Sequence, residues 1–138
     1  MRPHLALGAA IVLGTPAAAI AQSHEAHGIA KPHVALQQVV EGLPRDDKQS
    51  VRVMTASFRP GDKTVYHTHR YPVTVYVQEG AFTLELAGKP PLTIKAGEAL
   101  VEPPGVPMTG YNRTERETKV VIFYVSAVDT PFLDLLAH

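Results

Sequence analysis

His67 and His69 are spaced so that one chemical task can use both. Side chains alternate across an extended segment with period two, so a His-x-His pair projects both imidazoles to one side, with Cα atoms roughly 6.6 Å apart. At that separation two ring nitrogens can converge on one metal ion. If the alternation continues through Lys63 to Glu79, the odd positions Val65, His67, His69, Val73, Val75 and Val77 share a face. The even positions Thr64, Tyr66, Thr68, Thr74, Tyr76 and Gln78 form the other, more amphipathic face. Imidazoles on a valine-rich inward face are costly to bury unless they are hydrogen-bonded or metal-bound. The function is therefore expected in a pocket built on this pair.

Few other residues compete for that role. The chain has no cysteine, which excludes disulfides, thiolate metal sites and a Cys nucleophile. Any metal must be held by His, carboxylate, Met or backbone groups. Arg70 and Tyr71 follow the pair directly; they read equally as a guanidinium and a phenol at the pocket mouth or as ordinary turn residues before Pro72. Glu79, Glu98 and Glu102 sit beside turns and read as solvated, which leaves the histidines as the inward-facing titratable groups. No Ser-His-Asp arrangement, phosphate-cradling glycine loop or aromatic-and-basic stripe is present. Lys plus Arg and Asp plus Glu each total 13, so no single-sign field selects nucleic acid or an anionic membrane.

The elements that must position the pair read as strands. Short β-branched or aromatic runs span 34–40, 51–58, 63–69, 73–79, 82–86, 92–94, 99–102, 108–112 and 120–128. Pro60-Gly61-Asp62, Glu79-Gly80, Gly88-Lys89-Pro90-Pro91, Ala96-Gly97-Glu98 and Pro103-Pro104-Gly105 separate them, supplying the fixed or positive φ a reversal needs. Helical periodicity is absent. Regular short strands at this spacing predict an all-β fold, closed as a jelly-roll barrel of two antiparallel sheets. The 138 residues suit one domain, expected over 32–138. Apolar residues from Thr130 to His138 are expected to dock on the barrel or on a partner subunit.

The amino-terminal segment has a different character. Arg2, the apolar run Leu5 to Leu13 and the small-x-small Ala19-Ile20-Ala21 predict a secretory signal peptide over 1–21, too interrupted by Gly14, Thr15 and Pro16 to span a bilayer. Its removal takes away Arg2 and no acid, leaving 12 basic and 13 acidic groups on a periplasmic or secreted protein with no membrane attachment. Residues 22–31 read as a flexible, His-bearing tail. After cleavage the chain would begin Gln22-Ser23-His24, where the free amine, two amides and the His24 imidazole could bind Cu(II) or Ni(II) in a square plane. His-bearing exposed tails also occur without metal.

Two glycine-bounded motifs carry a family resemblance. The first runs Gly, five residues, His-x-His, three or four residues, Glu, six residues, Gly; here Gly61, His67, His69, position 73 and Gly80 fall in register. The second runs Gly, five residues, Pro-x-Gly, two residues, His, three residues, Asn; Gly97, Pro103, Gly105, position 108 and Asn112 match. The chain resembles a small single-domain cupin over roughly residues 34–128. The resemblance implies a double-stranded β-helix, a dimer, a structural role for Asn112, and a divalent metal held by two His, a Glu and a third His.

The ligand set departs from that pattern. Val73 stands at the Glu position, or Thr74 with the longer spacing, and Met108 stands at the second-motif His. Without a carboxylate, octahedral iron or manganese loses its preferred oxygen donor. Met108 reads either as core filling or as a thioether completing a His67, His69, Met108 set. Soft sulfur with imidazole selects copper, with zinc or iron as the other metals considered. The expectation is thus an exported cupin binding a metal ion or small ligand. Its alternative is a metal-dependent enzyme, dioxygenase- or isomerase-like, acting on a small organic substrate.

Overall fold

The computed structural model describes residues 28–137. The expected signal peptide, most of the tail and its His24 lie outside the described residues. The chain divides into two units, 1–32 and 33–138, and the architecture that follows is that of the second.

Nine strands form it: β1 (Gln49–Phe58), β2 (His67–Thr68), β3 (Val73–Glu79), β4 (Ala81–Leu86), β5 (Leu92–Lys95), β6 (Ala99–Glu102), β7 (Met108–Tyr111), β8 (Thr118–Ala127) and β9 (Asp134–Leu135). They pair antiparallel in two sheets, ordered β1-β8-β3-β6 and β5-β4-β7-β2-β9. This is the expected jelly roll. The inward sides of β3, β4 and β8 supply Val73, Val75, Val77, Phe82, Leu84, Val120 and Tyr124 to one core. Burying each such side chain contributes about 1.5–3 kcal/mol.

Three expectations need correction. The run 34–40 forms no strand: Val34 and Val39 are exposed and the segment makes no ladder with either sheet. The run 63–69 pairs as a strand only at His67–Thr68, preceded by an isolated bridge between Lys63 and Tyr111. The Thr64 amide still donates to the Gly110 carbonyl at 2.9 Å, but the Gly110 amide is taken by the Thr64 hydroxyl at 2.9 Å, so the side chain stands in for one bond of a regular ladder. Val65 accordingly turns outward, 53% exposed, although the alternation had placed it with the histidines. Finally, the carboxy-terminal residues do more than dock, since β9 adds an edge strand with Leu135 opposite His67 and Asp134 opposite Thr68.

The motif residues fix the turns around the site. Gly61, Gly80, Gly97 and Gly105 have φ of 84°, 76°, 88° and 70°. At Gly80 an added Cβ would also lie 2.6 Å from Thr118 Oγ1 and 2.8 Å from the Glu117 carbonyl, so only glycine closes the β3–β4 hairpin. Asn112 is fully buried and structural, as the resemblance implies. Its amide donates to the carbonyls of Phe58 (3.0 Å) and Arg116 (2.7 Å), and its Oδ1 accepts from the Thr114 amide at 2.9 Å.

Candidate metal centre

β2 carries both halves of the imidazole pair inward: His67 lies within the strand and His69 just beyond it, 4% and 1% exposed. Each ring is held at its Nδ1. His67 Nδ1 lies 2.6 Å from the Val65 carbonyl, and His69 Nδ1 lies 2.7 Å from the Phe132 carbonyl. A carbonyl can only accept, so each neutral ring carries its proton on Nδ1 and leaves Nε2 with a free electron pair. The two Nε2 atoms then face each other at 3.1 Å.

A carboxylate completes the cluster. Glu102 Oε2 lies 3.1 Å from His69 Nε2, and one ligand atom from each of His67, His69 and Glu102 falls within 4.8 Å of the others. Reading Glu102 as a solvated turn residue is therefore wrong: it is 5% exposed and faces the barrel interior. The inference that no carboxylate remains near the histidines falls with it. Along β6 the inward positions are Leu100 and Glu102, and the β3–β6 ladder sets Glu102 directly opposite Val73. The acid missing from position 73 is thus supplied by its cross-strand partner. Period-two alternation within Ala99–Glu102 would have indicated the face; the closeness of the turn at Pro103 masked it.

Met108 is wholly buried and is the register partner of His67 across the β2–β7 ladder, where it packs in the hydrophobic core. Arg70 and Tyr71 stand apart from the cluster. The Arg70 guanidinium donates to both Asp134 oxygens at 2.9 and 2.8 Å on the surface, and the Tyr71 ring packs 6.5 Å from that of Tyr124. Glu98 and Glu79 are exposed, the first accepting the Lys95 amide and the second paired with Lys119.

Burial is the main effect pushing the His67 imidazole below its ordinary value; the Val65 bond opposes it, His69 adds to it, and Glu102 opposes it. Neutral His67 is favoured, which leaves its Nε2 electron pair facing His69 Nε2, with the Glu102 carboxyl group beyond it. Three such groups could hold a metal ion. Ligand–ligand edges around first-row ions with bonds of about 2.1 Å run ~3.0–3.4 Å, and both 3.1 Å edges fall in that range. Beside the cluster lies a cavity of about 50 Å³, walled by Phe58, Val75, Phe82, Val120, Ile122, Phe132 and Leu133.

Residues 54–124 match the family model described as the cupin domain. Among solved structures, a cupin-like protein from Thermotoga maritima shares 26% identity over 63% of this chain and 65% of its own, with a TM-score of 0.53. Oxalate oxidase in complex with the substrate analogue glycolate shares 19% over 62% of this chain and 46% of its own, with a TM-score of 0.53. The polyketide cyclase RemF from Streptomyces resistomycificus shares 20% over 64% and 61%, also at 0.53. The last two likenesses concern the fold alone, and the chain spans 65% or less of the length of all three. No curated protein matches it significantly. With the family model covering more than half of its length and the jelly roll in place, the chain belongs to the cupin domain family.

Proposed function

We propose that this cupin binds one divalent first-row metal ion through His67 Nε2, His69 Nε2 and the Glu102 carboxylate, and presents it to a small ligand in the adjoining cavity. The observation carrying this reading is the convergence of three electron-pair donors whose outer ring nitrogens are already committed to backbone carbonyls. Carbonyl partners of this kind fix the tautomer and orientation of metal-binding imidazoles. Two histidines and one carboxylate suit iron, manganese, zinc or copper. A bound ion supplies Lewis acidity there, polarising a ligand oxygen or acidifying a water. The cavity walls beside the cluster are mostly apolar, which suits a small ligand with an apolar body. Metal analysis of purified protein tests the reading. Near-stoichiometric metal in the wild type and its loss in His69→Ala and Glu102→Gln are expected; equal metal in all three would refute it.

Two further readings rest on particular observations. Met108, the register partner of His67, would favour copper if its thioether served as a fourth donor. Met108→Leu should then weaken Cu(I) binding selectively while sparing Zn(II). An enzymatic role on a small organic molecule is supported by the carboxylate now beside the histidines and by the oxidase and cyclase that share the fold. Export is inferred from the apolar run and small-x-small sequence of residues 1–21. Dimerisation is inferred from exposed Val51, Val53 and Phe123 on the outer face of β1 and β8.

A further inference from the structure

We propose that residues 129–136 form a strap that gates the metal cavity, and that the Phe132 carbonyl is a positioning group for His69, so that opening the strap also releases that ring. The purpose of the gate rests on the metal reading above; its motion does not.

Phe132 and Leu133 form one wall of the cavity. The cavity, at about 50 Å³, has room for an ion with one or two waters and nothing larger. Any bigger ligand requires a wall to move. Most of the other walls are built into the sheets, where β8 is paired with β1 over ten residue pairs and with β3 along most of its length. The strap has fewer backbone bonds, and its main side-chain anchor is the Phe132 ring, 4.8 Å from that of His69 and 5.5 Å from that of Tyr124. After β8 ends at Ala127, Asp129 turns the chain with a left-handed φ of 63°, a natural hinge beside Pro131. Beyond it lie a two-residue ladder to β2, the bond from the Leu136 amide to the Tyr66 carbonyl at 3.1 Å, and the Arg52 side chain donating to the Thr130 carbonyl at 2.7 Å. The exposed Arg70–Asp134 pair closes the latch. Elements with so few backbone bonds open locally before the rest of a domain.

The two histidines differ in what anchors them. His67 bonds to Val65, two residues away on its own segment, whereas His69 bonds to Phe132 on the strap. Displacing the strap therefore leaves the ring bond of His67 to Val65 in place and frees His69 to rotate or change tautomer. Access to the cavity and the geometry of one ligand are linked through a single hydrogen bond.

The absence of native cysteines permits a clean test. Thr68 and Asp134 are antiparallel register partners, at which Cα atoms stand about 4.5–5.5 Å apart, a spacing a disulfide can bridge. In chelator-treated full-length Thr68→Cys/Asp134→Cys protein, diethyl pyrocarbonate labelling of His67 and His69 is followed by mass spectrometry in oxidised and reduced forms. Oxidation is expected to slow labelling of both at least tenfold while exposed His33 reacts at an unchanged rate; equal rates in the two forms would overturn the gate. Arg70→Ala, which removes the latch without new cysteines, should speed labelling severalfold. Nitrogen-15 spectra of its imidazoles should show His69 losing its Nδ1–H tautomer while His67 keeps it, and an unchanged His69 would overturn the positioning role. Because these readouts use metal-free protein, they stand apart from the metal analysis that judges the proposed function.

Discussion

Glu102 is the residue on which the candidate centre turns, because it adds a carboxylate to the two imidazoles. Glu102→Gln preserves its shape and removes that charge, so metal affinity should fall at least about tenfold, as read by competition with a chelating dye. His67 governs the acid limit. Its folded-state pKa lies below the ordinary 6.5, which the unfolded chain retains. The folded form therefore binds fewer protons, and its stability, fully present above pH 6.5, declines as pH falls from there through the lowered value. In metal-free protein, thermal midpoints should drop over that window, and His67→Leu should flatten the decline. The histidines were legible from the sequence because their spacing is local. Glu102 was not: its proximity to them depends on which strands adjoin, and β3 meets β6 only after the chain has travelled through the β4–β5 hairpin.

Between elements, the two motifs are joined by Asn112. The Gly61 amide donates to its carbonyl and its own amide donates to the Asp62 carbonyl, at 3.0 and 2.9 Å, while its side chain caps Phe58 and Arg116. Asn112→Ala takes the side-chain donor from the buried Phe58 carbonyl and the Oδ1 acceptor from the Thr114 amide, and should cost about 1–3 kcal/mol in urea unfolding. The β3–β6 ladder makes a sharper prediction. Since Val73 and Glu102 are partners, the exchange Val73→Glu/Glu102→Val should recover metal binding lost in Glu102→Val alone, measured by the same dye competition. Failure of the exchange to recover binding would mean that the carboxylate must approach from β6. Strand limits were legible where turn residues bounded them, as at Val73–Glu79 and Ala99–Glu102. Over 34–40 and 63–66 the composition suits a strand, but pairing partners decide strands, and a single sequence does not display them.

For the whole molecule, the balance is between a core of ordinary apolar side chains and a small polar cluster that could hold a metal ion. An ion bound only by the folded state adds about 2.7 kcal/mol at a free concentration one hundred times its Kd. Metal-loaded protein should therefore unfold at clearly higher urea than chelator-treated protein, and Glu102→Gln should lose most of that difference. The fold itself was legible because the four motif glycines fall at left-handed turns, so their spacing in the chain records the spacing of the reversals.

The placement of Glu102 on the rung facing position 73 has a consequence for recognising such centres elsewhere. A search keyed to in-line distance from the histidines would score this chain as lacking its oxygen donor. A template that also inspects the opposite rung would recover it, and it would separate chains that have truly shed their metal ligands from those in which the acid has only changed strands.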